Sequence, residues 1–389
     1  MSRPALLSPI KIGDRTLDHR IVLAPLTRLR NTEQGVPQDH CIEYYKQRAT
    51  KNGLLISEAT FISPATDGFK FAPGIYTDQQ IEGWKKVVDA VHAKEGVIYL
   101  QLWHLGRAVS SKDLPPGKYP VSSSAVAISG TGIFGTQYEV PHALTVDEIQ
   151  DTIRDYATAA KNSIKAGFDG VEIHGAHGYL IDQFINTSSN VRTDQYGGSI
   201  ENRARFALEV VDAVVEAVGI NRVAIRFSPW FNFLDMKDDT PLETWSYLTE
   251  QLQAKHSGLS YIHFSVPRQL ELGEFMYQDN VSSSLNPFRK IWKGPFIATG
   301  GFLESKTALD HCEKFPNDLI GFGRTFIANP DLVDRIRHGL PFNKYIRSTF
   351  YTHGIEGYTD YPFYSPAFFD ETGNQVVTGQ HYPALRSQL

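Results

Sequence analysis

Gly170-Val171-Glu172-Ile173-His174-Gly175-Ala176-His177-Gly178-Tyr179 is the stretch from which the rest of this chain can be read. Its first four residues form a short, largely apolar run, the length of a buried strand. Its last six bring two imidazoles and a phenol to that strand's end. Both kinds of group donate hydrogen bonds and move protons near neutral pH. Gly175, Ala176 and Gly178 leave room among them for a flat ligand. Alone, His174 would read as a buried structural histidine, and Tyr179 as a helix cap. Three such groups at one strand end instead mark the position where parallel α/β barrels keep their chemistry.

Runs of the same kind recur along the chain: 21–24, 54–56, 97–100, 223–225, 261–264, 295–298 and 319–322. Helical spacing lies between them. In 145–166 the apolar residues Ile149, Ile153, Tyr156, Ala157, Ala160 and Ile164 repeat at three and four, and Thr145 with Glu148 reads as a capping box. In 200–218, Phe206, Val210, Val211, Val214 and Val218 do the same. Eight strands alternating with helices predict a parallel sheet, and eight closes a (β/α)8 TIM barrel of the α/β class, one domain over 1–389. An open doubly wound sheet is the rival. Its fingerprint occurs once, at Gly130-Thr131-Gly132-Ile133-Phe134-Gly135, but no helix follows to face a pyrophosphate, so this reads as a Gly-rich turn within a hairpin. The opening segment 7–17 predicts an N-terminal hairpin turning at Gly13-Asp14 and plugging the barrel floor. Two long connections remain: a lid insertion at about 108–144 after strand 3, and an active-site insertion at about 174–199 after strand 4.

With 41% hydrophobic and 21% charged residues the composition is that of a soluble globular protein, and the net charge of −5 with no basic stripe argues against nucleic acid and anionic membrane as partners. No apolar run approaches a membrane span or a signal region, so a cytoplasmic location is expected. The final Ser387-Gln388-Leu389 departs from the Ser-Lys-Leu peroxisomal address by its lost positive charge. Cys41 and Cys312 are the only cysteines, which excludes a disulfide framework and a cysteine metal site. His174-x-x-His177 follows a strand with no evident third ligand, so no metal is expected.

The residues beyond each strand suggest the ligand. Gly300-Gly301 and Gly323-Arg324 end the seventh and eighth strands: glycines let backbone N–H groups approach a phosphate, and the guanidinium can bind it in bidentate fashion. Arg226 ends a buried strand and needs an anionic partner. Gln101 offers donor and acceptor together, matching a pyrimidine-like edge. A flavin mononucleotide fits all of these.

At this point the chain resembles the old yellow enzymes, the FMN-dependent ene-reductases and NADPH dehydrogenases, as a fungal-type member. The resemblance rests on Leu23–Arg28, Gln101–His104, His174–Tyr179 and the long stretch Arg192–Arg203, and it covers nearly the whole chain. It implies non-covalent FMN, with NAD(P)H as transient hydride donor. It implies that Pro25, Leu26 and the Thr27 hydroxyl face the flavin, with Gln101 at its pyrimidine edge and Arg226 near N1. Gly300, Gly301, Phe302, Gly323 and Arg324 would hold the phosphate end. Ala59 stands where many relatives have a flavin-adjacent glycine. His174 and His177 would bind the substrate carbonyl oxygen, with His174 also close to the cofactor, and Tyr179 would deliver the proton. Trp103, Phe69 and Tyr351 would line the substrate pocket. Substrates would be small enones and enals, and the protein a monomer or homodimer. Arg192–Arg203 is expected to fold the loop behind the site. Ergot-alkaloid-type reductases and isomerases share this architecture, but the isomerases tend to lose the tyrosine, so Tyr179 favours net reduction. A hydroxy-acid oxidase of the FMN barrel type and a non-catalytic flavin-binding scaffold are the other classes weighed. The first would not oxidise NADPH, and the second would need neither Tyr179 nor the paired histidines.

Overall fold

The computed structural model describes residues 3–132, 135–266, 268–271, 274–277 and 284–365. Eight parallel strands close into a barrel: β1 (Ile21–Leu23), β2 (Leu54–Phe61), β3 (Val97–Trp103), β4 (Gly170–His174), β5 (Val223–Phe227), β6 (Tyr261–Ser265), β7 (Phe296–Thr299) and β8 (Asp318–Phe322). β8 returns to β1 through the pairs Ile320–Ile21 and Phe322–Leu23. Each expected run falls on one of these strands. The α/β barrel reading therefore stands, and the open-sheet rival does not.

β2 and β3 run further than their apolar stretches suggested, because polar residues are built into them. Ser57 Oγ accepts the Gln101 backbone N–H at 3.0 Å, and Glu58 accepts the Arg28 N–H at 3.1 Å. The strand register slips between Ile56 and Ala59, which carries these groups past the bulge. Satisfied inside the barrel wall, they cost little and disguise the strand.

Helices α1 (Asp39–Arg48), α2 (Asp78–His92), α3 (Val146–Lys165), α4 (Ile200–Val218), α5 (Pro241–Lys255), α6 (Asn286–Ile291), α7 (Ser305–Lys314) and α8 (Leu332–His338) follow the strands in turn. The capping box at Thr145 and Glu148 is present at α3, and Ser199 caps α4. Their apolar faces, such as Trp84 and Val87 of α2, Tyr156 of α3 and Val210 and Val214 of α4, pack on the outward side chains of the strands.

The barrel has a separate inner floor. Ile10–Ile12 and Arg15–Leu17 form the antiparallel hairpin, and Ile12 and Leu17 pack among Val22, Leu54, Val97, Tyr99, Tyr261 and Leu319. At its turn Gly13 has φ +46°, and a Cβ there would collide with the Asn221 carbonyl oxygen, so the turn admits only glycine without strain. The hairpin thus plugs the barrel floor, and the long connections lie at the opposite end.

That end carries the long connections. Within the lid, Val121–Ser122 pairs with His142–Ala143, and Thr131 bridges Gln137 in the antiparallel sense expected of the Gly-rich turn. A two-stranded ribbon, Arg268–Glu271 with Glu274–Tyr277, follows β6 and had no expectation attached to it. The segment after α8 returns to the mouth, where three buried arginines receive it. Arg28 donates to the carbonyls of Phe350 and Gly357, Arg30 to those of Thr349, Gly354 and Glu356, and Arg48 to that of Tyr358. Tyr44 and Tyr358 stack at 4.2 Å between the guanidiniums of Arg48 and Arg30, at 3.7 and 4.5 Å from the ring centres. No helix among the described residues is long and apolar enough to cross a membrane, and Ser387–Leu389 lies outside the described residues.

Candidate active site

A cavity of about 340 Å³ opens at the C-terminal ends of the strands. Pro25, Leu26 and Thr27 reach it from the end of β1, Ala59 from β2, Gln101 and Trp103 from β3, and Arg226 from β5. His174, His177 and Tyr179 reach it from β4 and the turn beyond, and Gly300, Gly301, Phe302, Gly323 and Arg324 from the last two strands. Tyr351, 56% exposed, stands at the rim. Phe69 departs from the expectation. It packs edge-on against Trp103, ring centres 5.4 Å apart, and lines a separate small recess with Ala108, Val109 and Tyr138. The Trp103 ring, itself stacked on Phe61, sits in that cluster with it.

The turn after β4 explains how His174, His177 and Tyr179 meet. His177 has φ +58° and Gly178 φ +80°, two successive left-handed residues that reverse the chain. For histidine this backbone is unfavourable, and two bonds hold it. The His177 N–H donates to Ser228 Oγ at 2.7 Å, and the Gly178 N–H to Asp182 Oδ2 at 2.8 Å. Tyr179 then takes the position before the short helix Leu180–Ile185. Its ring meets His174 edge-on at 5.1 Å and Trp103 at 4.9 Å, and the two histidine rings lie 5.6 Å apart.

Electrostatics sets the protonation of these groups. Burial, with the nearby Arg226 charge, pushes His174 well below the ordinary imidazole range, so it is neutral. The Ala176 N–H donates to its Nδ1 at 3.3 Å, which leaves the proton on Nε2. Burial raises the Tyr179 phenol above its usual value, so it keeps its proton throughout the neutral range.

Beneath the cavity runs a buried polar chain. Gln101 Nε2 donates to Glu172 Oε1 at 2.7 Å, Glu172 Oε2 meets His263 Nδ1 at 2.8 Å, and His263 Nε2 meets Thr299 Oγ1 at 2.7 Å. Burial pushes Glu172 up, but the pull of His263 and Arg226, with the hydrogen bonds, outweighs it and holds the carboxyl below the ordinary range. Burial lowers His263 to about 4, so this imidazole is neutral, donating through Nδ1 to the carboxylate.

The donor set fits FMN. Among the described residues three arginines and no carboxylate line the cavity, in a chain whose net charge is −5. At one end Gly300 and Gly301 have φ +129° and +71°, and Gly323 precedes the short helix Arg324–Ala328, whose first N–H groups have no partner within the helix. Arg324 Nη1 donates to Tyr345 Oη at 2.9 Å, which fixes the guanidinium beside them. A dianionic phosphate suits this end, and the Gln101 and Arg226 side chains suit a ring that carries both donors and acceptors.

Arg192–Arg203 does not line the cavity. Arg192 binds the carbonyls of Ser123 at 2.7 Å and Leu144 at 2.6 Å, and Arg203 pairs with Asp238 at 2.6 Å, tying the insertion to the lid and to the loop after β5. Other lining residues carried no expectation: Phe231, Phe233, Arg347 and Phe350. The aromatic run Trp230-Phe231-Asn232-Phe233 beyond β5 was a usable signal for two of them. Phe350 arrives only through the arginine clamp, which no local pattern reveals.

The model of the NADH:flavin oxidoreductase / NADH oxidase family matches residues 5–343 of this chain. The chain is 50% identical over 359 residues to 12-oxophytodienoate reductase 1 of Oryza sativa subsp. japonica, covering 92% of this chain and 93% of that one. It is 45% identical over 362 residues to 12-oxophytodienoate reductase 2 of Arabidopsis thaliana, covering 92% and 95%. Among solved structures, it superposes on morphinone reductase in complex with tetrahydroNAD with a TM-score of 0.85 at 43% identity, covering 94% and 99% of the two chains. The old yellow enzyme homologue from Zymomonas mobilis superposes with 0.85 at 38% identity, covering 93% and 100%.

Proposed function

The chain belongs to the NADH:flavin oxidoreductase / NADH oxidase family, as an old yellow enzyme-type FMN oxidoreductase served by a nicotinamide hydride donor, and from that premise we propose that it reduces the activated C=C bond of small α,β-unsaturated carbonyl compounds by a ping-pong mechanism with Tyr179 as the proton donor. The observation that carries this reading is one turn that brings two imidazoles and a protonated phenol to one cavity wall.

FMN, held by residues such as Gln101, Arg226 and Arg324, would supply the hydride chemistry that links the nicotinamide to the β carbon of the enone. The residues do the rest. His174, neutral with its proton on Nε2, donates a hydrogen bond to the substrate carbonyl oxygen, and His177 supplies the second donor. Negative charge grows on that oxygen as the β carbon is attacked, and two fixed donors stabilise it, each worth about 3 kcal/mol. Tyr179 protonates the α carbon. Its raised pKa guarantees that it holds a proton to give, at some cost in acidity, which the charge on the attacked substrate offsets. Arg226 and Arg324 supply positive charge at the cofactor's ring and phosphate ends, and Trp103 and Tyr351 bound the space for substrate.

The test is NAD(P)H consumption by the purified yellow protein against a panel of enones, enals, maleimides and nitroalkenes. The reading predicts substrate-dependent oxidation with parallel-line ping-pong kinetics. Oxidation of a 2-hydroxy acid, with no response to any activated alkene, would overturn it.

A further inference from the structure

The two histidines differ in one respect. The tautomer of His174 is set from within the turn, by the Ala176 N–H. The setting group for His177 lies on another strand. Ser265, the last residue of β6 and 3% exposed, has a hydroxyl 2.9 Å from His177 Nε2 and 3.1 Å from Arg226 Nη2. Those are its only side-chain partners among the described residues.

Donor counting decides the direction of these bonds. A guanidinium only donates, so Ser265 Oγ accepts from Arg226. The hydroxyl has one proton of its own, it is buried, and a buried donor left unmade costs about 1–3 kcal/mol. Among the described residues, the acceptor this hydroxyl reaches is His177 Nε2. That nitrogen must then carry the lone pair, and the ring, neutral, must carry its proton on Nδ1.

From this geometry we propose that Ser265 is a positioning residue. It relays the fixed polarity of Arg226 through its hydroxyl to His177, holding that ring in the Nδ1–H tautomer while His174 is held in the Nε2–H tautomer. The paired histidines thus offer one N–H each to the same oxygen, and neither presents a lone pair to it. The inference rests on the reading of His174 and His177 as the binders of the substrate oxygen. It goes further by naming the residue that makes the second of them a donor, and it links that role to Arg226.

The experiment uses the FMN-loaded protein with 15N-labelled histidine. Long-range proton–nitrogen correlation spectra near neutral pH read the tautomer of each ring directly, without turnover. Affinity for a para-substituted phenol is titrated alongside, by calorimetry and by its charge-transfer absorption. The wild type should show His177 protonated on Nδ1. Ser265→Ala, or Ser265→Cys where alanine impairs folding, should shift it toward Nε2 and weaken phenol binding about tenfold, the equivalent of one hydrogen bond. Ser265→Thr should restore both, and His174 should stay unchanged throughout. Ser228→Ala, which removes only the acceptor of the His177 backbone N–H, should weaken binding without altering the tautomer. A wild-type His177 protonated on Nε2 would overturn the relay, as would a Ser265→Ala protein with an unchanged tautomer, whatever its phenol affinity. A protein in which Ser265 controls the tautomer, but which binds no phenol and reduces no enone, would uphold the relay and overturn the functional reading instead.

Discussion

Replacing Tyr179 by phenylalanine isolates one step of the proposed reaction. The ring contacts His174 at 5.1 Å and Trp103 at 4.9 Å, both edge-on, and these survive because only the hydroxyl is lost. No hydrogen bond to that hydroxyl occurs among the described residues, so the substitution orphans nothing, and stability should stay within about 0.5 kcal/mol of wild type. Consumption of NADPH in the first half-reaction draws no proton from this group and should keep its rate. The second half-reaction, with a simple enone such as cyclohexenone, should slow by roughly 10²- to 10⁴-fold, the span of general acid catalysis. A nitroalkene should suffer less at the hydride step, because its nitronate product is stable before protonation. Stopped-flow measurement of each half-reaction separates the two. The reasoning is refuted if Tyr179→Phe blocks reduction by NADPH while the enone reaction stays fast, or if the enone reaction is unaffected.

Arg324→Ala removes a charge-assisted contact at the phosphate end and should raise the dissociation constant of FMN about 10- to 100-fold, read from fluorescence of the released flavin. His174→Ala combined with His177→Ala should abolish the long-wavelength band that a para-substituted phenol produces over the flavin; an unchanged spectrum would show that the oxyanion site is misplaced. Glu172→Gln replaces a carboxylate that accepts from both Gln101 and His263 by an amide that can accept from only one, and should destabilise the fold by about 1–3 kcal/mol in thermal or urea unfolding. Because the folded Glu172 carboxyl lies below its ordinary range, its contribution is present above the unfolded pKa and is lost as pH falls through the folded one. The Glu172→Gln protein should therefore show a shallower loss of stability on acidification than wild type.

The barrel was legible because its strands are buried on both faces and must be written in apolar residues, so eight short runs could be counted. Reading failed where the wall is polar. Ser57, Glu58 and Gln101 interrupt the pattern of β2 and β3 because other segments satisfy them: Ser57 Oγ accepts the Gln101 N–H, Glu58 accepts the Arg28 N–H and Gln101 Nε2 donates to Glu172, an arrangement that exists only once the strands are neighbours. The site divides in the same way. Groups within a few residues of a strand end, such as His174, Arg226 and Arg324, could be placed from sequence because the fold fixes where strand ends go. Phe69 could not: its place depends on how the loop after β2 packs against Trp103, and the ring lines a separate recess. His177 shows the limit most clearly. The small residues at Gly175, Ala176 and Gly178 announced a tight turn, but the left-handed backbone of His177 itself is unfavourable taken alone. It is tolerated because Ser228, more than 50 residues along the chain, accepts its N–H, and Ser265, more than 80 along, engages its ring. The residue with the sharpest chemical signal in the sequence therefore owes its conformation to two serines that carried no signal at all.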